Sequence, residues 1–321
     1  MIDLILVADI GGTNVRFAIA EAVSSGITLH DARRLQTEDF ETVRDAAHAY
    51  LESVQAHPKR ACMALAGPVH NGQAQVTLTN SHWSLRGDEF QKALALEELM
   101  LVNDFYAAAS GVAYLHDDAF VTVKRAQRDA LAVQLIIGPG TGLGQALIVP
   151  TQTGNRVVAT EGGHVAFAPQ TTEEIEVMSF IARAHPRVSA ERLLSGPGLV
   201  NIHRAFCQIE GAPPLTLQAE EITAAAMDGT DRIALRSVNM FSAVLGRVAG
   251  DAVLATGARG GVVLGGGILP KIREMLLEGP FVDRFLDKGR MKDYMAAVPV
   301  RLIVDESVAL YGAAAAMERL G

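Results

Sequence analysis

Apolar residues recur along this chain at two spacings, and the alternation between them predicts an α/β protein. Short aliphatic and β-branched runs at 4–8 and 16–20 flank a tight glycine turn and predict strands. Residues 40–56 instead place Phe40, Val43, Ala47, Tyr50, Leu51 and Val54 at helical spacing. Runs at 62–66 and 99–102 read as strands buried on both faces, each ending in a loop. Such strands separated by helices predict a largely parallel sheet with covered faces. A second passage repeats the opening, with a strand at 131–137, a glycine turn at 138–144 and a strand at 145–149. Identity between the two passages is slight, so the repeat is one of architecture. From 172 onward the pattern is mostly helical, with segments at 173–184 and 199–208 and one long amphipathic stretch at 231–255. A buried strand at 262–264 then runs into three glycines, and the tail predicts a strand at 300–304 and an alanine-rich helix at 308–320. The expected division is a small α/β domain over 1–108, with the tail 302–321 packing back on it, and a large α/β domain over 109–301.

Composition narrows the class. Hydrophobic residues make up 49% of the 321 and charged ones 20%, which supplies a core and excludes disorder. No window reaches the ~18 uninterrupted apolar residues of a spanning helix. The first residues run straight into a strand pattern with no basic segment and no small-residue cleavage site, so the expectation is a cytoplasmic protein with no membrane partner. A net charge of −8 with no block of Lys or Arg argues against a nucleic-acid partner while leaving a nucleotide open. Cys62 and Cys207 are the only cysteines, too few for a disulfide framework or a cysteine zinc site.

Chemistry concentrates at the glycine turns. In Asp9-Ile10-Gly11-Gly12-Thr13-Asn14, adjacent glycines leave backbone N–H groups open to phosphate oxygens. The Thr13 hydroxyl adds a donor, and Asp9 can hold the water shell of Mg²⁺. An ordinary hairpin turn would explain the same glycines. The second turn carries Gly138, Gly140, Thr141, Gly142 and Gly144, and close approach of a ligand to its backbone would justify so much glycine between buried strands, as would a multi-turn loop. Neither turn is a P-loop or a dinucleotide-binding fingerprint. Gly265, Gly266 and Gly267 fit a purine lying flat on bare backbone, or equally a close helix–strand contact.

A polar set accompanies the turns. Asn103 and Asp104 end a buried strand, where open α/β sheets present ligand groups, so Asp104 is a candidate general base for a sugar hydroxyl. The same Asp104 would also serve as an N-cap for a helix starting at Phe105. Glu161 and His164 flank two glycines at what reads as a hairpin tip, and Glu191 falls in the first turn of a helix. Asn103, Asp104, Glu161, His164 and Glu191 together suit a polyol, whose hydroxyls both donate and accept. His70, Asn80, His82 and Trp83 lie in a turn-rich region that reads as loop, and Asp305-Glu306 as a turn before the last helix.

DIGGTN at 9–14, LVNDF at 101–105, GPGTGLG at 138–144, EGGH at 161–164, SAERLLSGPGL at 189–199 and LGGGI at 264–268, in that order, resemble the bacterial glucokinase family over nearly the whole chain. The resemblance implies an actin-like ATPase (ribonuclease H-like) fold of two α/β domains flanking a deep cleft, a homodimer, and phosphorylation of glucose on its 6-hydroxyl by ATP. It further implies that Asp104 is the catalytic base. Asn103, Glu161, His164 and Glu191 would hold the sugar, with residues 8–13 (Ala8 included) and 138–144 around the phosphates. Ala8 stands where the family often has Gly. The related repressor–kinase group carries a cysteine-rich zinc loop after its GH motif; here the next cysteine after His164 is Cys207, so the expected cofactors are ATP and Mg²⁺ without zinc. A kinase for another hexose, or a sugar-sensing ATPase that has lost transfer, remains open.

Overall fold

The computed structural model describes residues 4–23, 26–65, 67, 75–77, 83–152, 154–213 and 216–318. The chain divides into two compact units, Met1–Asp117 with Asp305–Gly321, and Asp118–Val304.

The first unit holds strands β1 (Leu4–Ile10), β2 (Asn14–Val23), β3 (Gly26–Gln36), β4 (Arg60–Leu65), β5 (Gln75–Thr77), β6 (Ser84–Arg86) and β7 (Glu98–Asn103). Its helices are α1 (Val43–Val54), α2 (Gly87–Ala93), α3 (Asp104–Gly111) and the C-terminal helix Val308–Glu318. The main sheet runs β3-β2-β1-β4-β7. The β1, β4 and β7 strands are parallel, whereas β2 pairs antiparallel with both β1 and β3. The sheet is therefore mixed rather than largely parallel. The glycine turn after β1 is too short for a crossover and returns the chain antiparallel.

Period-two alternation divides β1 between two cores. Leu6, Ala8 and Ile10 pack with Ala46, Ala47 and Tyr50 of α1, while Ile5 and Val7 pack with Ala309, Leu310 and Ala313 of the C-terminal helix. Covering both faces is why β1 reads as an unbroken apolar run.

The middle and end of α3 cross the C-terminal helix in backbone contact. A Cβ on Gly312 would lie 1.6 Å from the Ala107 carbonyl oxygen, and one on Gly111 would lie 1.9 Å from that of Val308. Only glycine allows so close a crossing.

The second unit holds β8 (Phe120–Lys124), β9 (Gln134–Pro139), β10 (Leu143–Thr151), β11 (Gly154–Thr160), β12 (Gly261–Leu264) and β13 (Val300–Ile303). Its main helices are α4 (Thr172–Ala182), α5 (Gly196–Ile209), α6 (Ala219–Met227) and α7 (Arg232–Thr256). The sheet order is β11-β10-β9-β12-β13-β8. The β9, β10 and β11 strands form an antiparallel meander, and β9, β12 and β13 are parallel. This repeats the first unit strand for strand, with β9 in the place of β1, so the echo read between the two glycine turns extends through five strands.

Asp231 caps α7, accepting from the amides of Ile233 and Ala234, and Gly257 ends the helix in the left-handed region. By length and composition α7 could cross a membrane, but 67% of its apolar window is buried inside the protein. There Val238, Phe241, Val244, Leu245 and Val253 form the centre of the core. The strand expected from 131 begins three residues later, at Gln134, and Leu131 is exposed.

A methyl added at the helix crossing has nowhere to go. Gly312→Ala is expected to cost at least 2 kcal/mol, the scale of a strained overpacked core, read as a fall in the urea midpoint at constant slope. Gly229→Ala, with open space around its Cβ but a positive φ of 66°, should cost only about 1 kcal/mol.

Candidate active site

In the first unit the parallel strands β1, β4 and β7 present their carboxyl ends at one edge, with Asp9 opposite Ala64 and Leu65 opposite Asn103. Asp9 and Asp104 are thereby gathered at that edge. Asn103, not Asp104, is the N-cap of α3: its Oδ1 accepts from the amides of Phe105 (2.9 Å) and Tyr106 (3.1 Å). Its Nδ2 donates to the Gly67 carbonyl at 3.0 Å, which leaves one N–H for a ligand. Asp104 is the first helical residue, and the Phe105 amide also reaches its Oδ1 at 2.8 Å. Burial, and then the charge of Asp9, push the Asp104 carboxyl up to about 7, against the opposing pull of the backbone amides and Asn103.

Asp9 is raised too, because burial outweighs the Arg16 guanidinium beside it. Arg16 is its cross-strand partner in the β1–β2 hairpin and donates to Asp9 Oδ2 at 3.2 Å. The other arm of Arg16 reaches Glu306 at 2.5 Å, so the segment Asp305-Glu306 anchors this edge beyond making a turn. Arg34 donates to Asn14 Oδ1 at 2.9 Å, and Asn14 Nδ2 donates to Thr13 Oγ1 at 2.8 Å. With a lone pair occupied by Asn14, the Thr13 hydroxyl proton is free to donate elsewhere. Gly11 N–H is spent on the Asn14 carbonyl at 3.0 Å. Among the described residues, nothing accepts from the Gly12 or Thr13 amides. Ala8 and Ile10 are fully buried, so only their backbone is available to a nucleotide.

In the second unit, Glu161, His164 and Glu191 come together. His164 Nε2 lies 3.8 Å from Glu161 Oε2, and His164 Nδ1 lies 3.8 Å from Glu191 Oε1. The EGGH segment is a 3₁₀ turn, Gly162–His164, rather than a hairpin tip. Its glycines are required by β10: a Cβ on Gly162 would lie 1.9 Å from Gln145 Oε1, and one on Gly163 would lie 2.1 Å from the Leu143 carbonyl oxygen. Glu191 falls in a three-residue 3₁₀ turn, Ala190–Arg192, ahead of α5 rather than in a helix's first turn. Its Oε2 accepts the Leu143 amide at 3.0 Å.

The 138–144 turn spends Gly140 N–H on the Gly142 carbonyl and Leu143 N–H on Glu191. Among the described residues, nothing accepts from the Thr141 or Gly142 amides. Gly138, Gly265 and Gly266 are glycine for internal reasons. A Cβ on Gly138 would lie 2.5 Å from the Gly265 backbone, and one on Gly266, at φ 86°, would lie 2.3 Å from the Pro139 carbonyl oxygen. Gly140 and Gly267 border open space.

Among the described residues no three His, Cys, Asp or Glu side chains form a metal cage. One carboxylate beside unspent amides fits Mg²⁺ that keeps its waters and takes its other ligands from phosphates. Trp83 is a core residue, donating to the Phe40 carbonyl at 3.2 Å. His70, Asn80 and His82 lie outside the described residues.

Two α/β units, each built on a mixed sheet with a glycine turn between its first two antiparallel strands, are consistent with the actin-like ATPase fold. Residues 6–320 match the family model described as Glucokinase. The chain is 39% identical over 314 residues to a curated glucokinase of Hahella chejuensis, covering 98% of this chain and 96% of that one. It is 40% identical over 317 residues to one of Caulobacter sp., covering 98% and 95%. A solved structure described as a glucokinase from an Antarctic psychrotroph superposes with a TM-score of 0.85 at 37% identity, covering 99% of this chain and 100% of that one. This chain belongs to the glucokinase family.

From sequence, Arg16, Arg34 and Asn14 carried no assigned role, and Glu306 was read only as part of a turn. Pairing of Asp9 with Arg16 across a tight turn was the one available signal.

The raised Asp104 makes a signed prediction for stability. Its folded value near 7 exceeds the unfolded value near 3.8, so the folded chain holds the proton more tightly and loses stability as pH rises between the two. Asp104→Asn, which keeps an acceptor for Phe105 N–H, is expected to raise the melting temperature at pH 8 by roughly 2–5 °C. The gain should shrink towards zero near pH 4. Equal melting temperatures at pH 8 would show that Asp104 carries no such burden.

Proposed function

We propose that this chain transfers the terminal phosphoryl group of ATP to the 6-hydroxyl of D-glucose, giving glucose 6-phosphate and ADP, with Asp104 as general base. The observation that carries the reading is the Asp104 carboxyl, held near 7 at the sheet edge beside the Asp9 turn. A base whose affinity for protons matches the operating pH transfers them most effectively. Family membership over residues 6–320 supports both the substrate and the donor.

In this mechanism Asp104 takes the proton from the sugar hydroxyl as that oxygen attacks the γ-phosphorus and the bond to the ADP oxygen breaks. Amides of Gly12, Thr13, Thr141 and Gly142, with the Thr13 hydroxyl, receive the charge that spreads over the phosphoryl oxygens. Gly11 and Gly140 shape the two turns, and Ala8 and Ile10 hold the first in line through their buried side chains. Mg²⁺, when bound with ATP, would neutralise phosphate charge, with Asp9 holding it through water. Glu161, His164, Glu191 and the remaining N–H of Asn103 hold the sugar hydroxyls, and Gly267, supported by Gly265 and Gly266 on Gly138, offers bare backbone to the purine. The reaction requires both sets of residues to close on one sugar, as in the ribonuclease H-like, deep-cleft form of the actin-like fold. We place the enzyme in the cytoplasm as a homodimer with small-molecule partners, using no zinc.

A coupled ADP-release assay over glucose, mannose, fructose and glucosamine tests the substrate, with glucose expected to give the highest kcat/KM. Asp104→Ala should lose about 10²–10⁴-fold in kcat while binding glucose in calorimetry. Near-normal turnover would remove Asp104 from the mechanism. In the unaltered enzyme kcat/KM should fall as pH drops below about 7, because the base is then protonated.

A further inference from the structure

We infer that Glu191 is a positioning residue for the 138–144 turn as well as a sugar ligand, so that sugar and nucleotide affinities are coupled through one carboxylate. The inference rests on the sugar-holding role proposed above and extends it to the nucleotide side.

The two oxygens of Glu191 face different tasks. Oε1 lies 3.8 Å from His164 Nδ1, on the side assigned to the sugar. Oε2 accepts the Leu143 amide at 3.0 Å, where the glycine turn passes into β10. The same Oε2 fills the space over Gly142, because a Cβ there would lie 2.5 Å from it. A methyl at Gly142 would therefore have to push the Glu191 carboxylate aside.

The segment around Glu191 grips the turn at a second point, where the Gly196 amide donates to the Gly140 carbonyl at 2.8 Å. Glu191 itself has little freedom along the backbone. Its carbonyl accepts from Ser195 Oγ at 2.9 Å, and that oxygen accepts from the Gly198 amide at 3.0 Å. With the main chain held, the carboxylate responds to a ligand by turning about its own side-chain bonds. A hydroxyl drawn onto Oε1 then fixes the direction of Oε2, and with it the Leu143 amide and the unspent amides of Gly142 and Thr141, one and two residues away. Coupling of this kind acts equally in both directions.

Reciprocity supplies the test, because each ligand should sense a change on the other's side. Isothermal calorimetry would measure glucose binding without nucleotide to Gly142→Ala and Gly229→Ala. The first puts a methyl against Glu191, whereas a Cβ on Gly229, outside both glycine turns, meets nothing within 4 Å. Gly142→Ala is expected to weaken glucose roughly 5–50-fold, within the usual range of such couplings, and Gly229→Ala to leave it unchanged. The second arm measures Mg²⁺·AMP-PNP binding without sugar to Glu191→Gln and Glu191→Ala. Both remove the charge, but only Gln keeps an oxygen for the Leu143 amide. Glu191→Ala should bind roughly 3–10-fold more weakly than Glu191→Gln, the loss of one neutral hydrogen bond.

Equal glucose affinities in the two glycine variants together with equal nucleotide affinities in the two Glu191 variants would overturn the inference. Failure of the unaltered protein to bind glucose would instead refute the functional reading, and the sugar-free nucleotide arm would then decide this one. If Gly142→Ala does not fold, the same arm decides it.

Discussion

Two carboxylates brought to one sheet edge and partly stripped of water set the terms for the rest of the first unit. Asp9 lies near the end of β1 and Asp104 just past the end of β7, on strands that flank β4, and burial makes both costly to ionise, with the charge of Asp9 adding to the cost at Asp104. A fold tolerates such a pair only with compensation nearby. Arg16 supplies it for Asp9, and Glu306 in turn holds Arg16 from the far end of the chain. Among the described residues no cation stands beside Asp104. Its carboxyl therefore keeps its proton to near neutral pH, which makes it destabilising to the ligand-free protein and underlies the general-base role proposed for it.

Glycine in this protein does two separable jobs. At Gly138, Gly162, Gly163, Gly266 and Gly312 the missing side chain is explained by protein atoms within 2.5 Å of where it would stand. At Gly140 and Gly267 nothing occupies that space, and these are the positions where a ligand could reach the backbone. Close internal packing holds the turns rigid, and the unspent amides beside Gly140 then point from a fixed frame. Preorganisation of that sort stabilises developing charge without rearrangement at the moment of reaction.

Much of this architecture was legible from spacing. The long helix, the buried strand before three glycines and the repeated strand–turn–strand passages all follow from apolar periodicity, because burial on one stripe or two faces leaves that imprint. The mixed character of the sheets was passed over because a strand covered on both faces shows the same unbroken apolar run in either direction, although the short glycine turns leave no room for a crossover between parallel strands. The cap of α3 was read one residue late, at Asp104 where Asn103 holds it, as either residue type caps a helix well. The roles of Arg34 and Glu306 were hidden for a different reason: they lie in cross-strand register and in an Arg16–Glu306 contact 290 residues apart, which no local window encodes, whereas the pairing of Arg16 with Asp9 across the tight turn was readable and was passed over.

The central claim is that Asp104 is a proton acceptor tuned by burial and by Asp9. Titration of the Asp104 side-chain carboxyl carbon by ¹³C NMR in the ligand-free protein reads this directly. The account predicts a midpoint near 7 that falls when Asp9 is replaced by Asn. A midpoint near the ordinary value of 3.8, unmoved by that replacement, would contradict it.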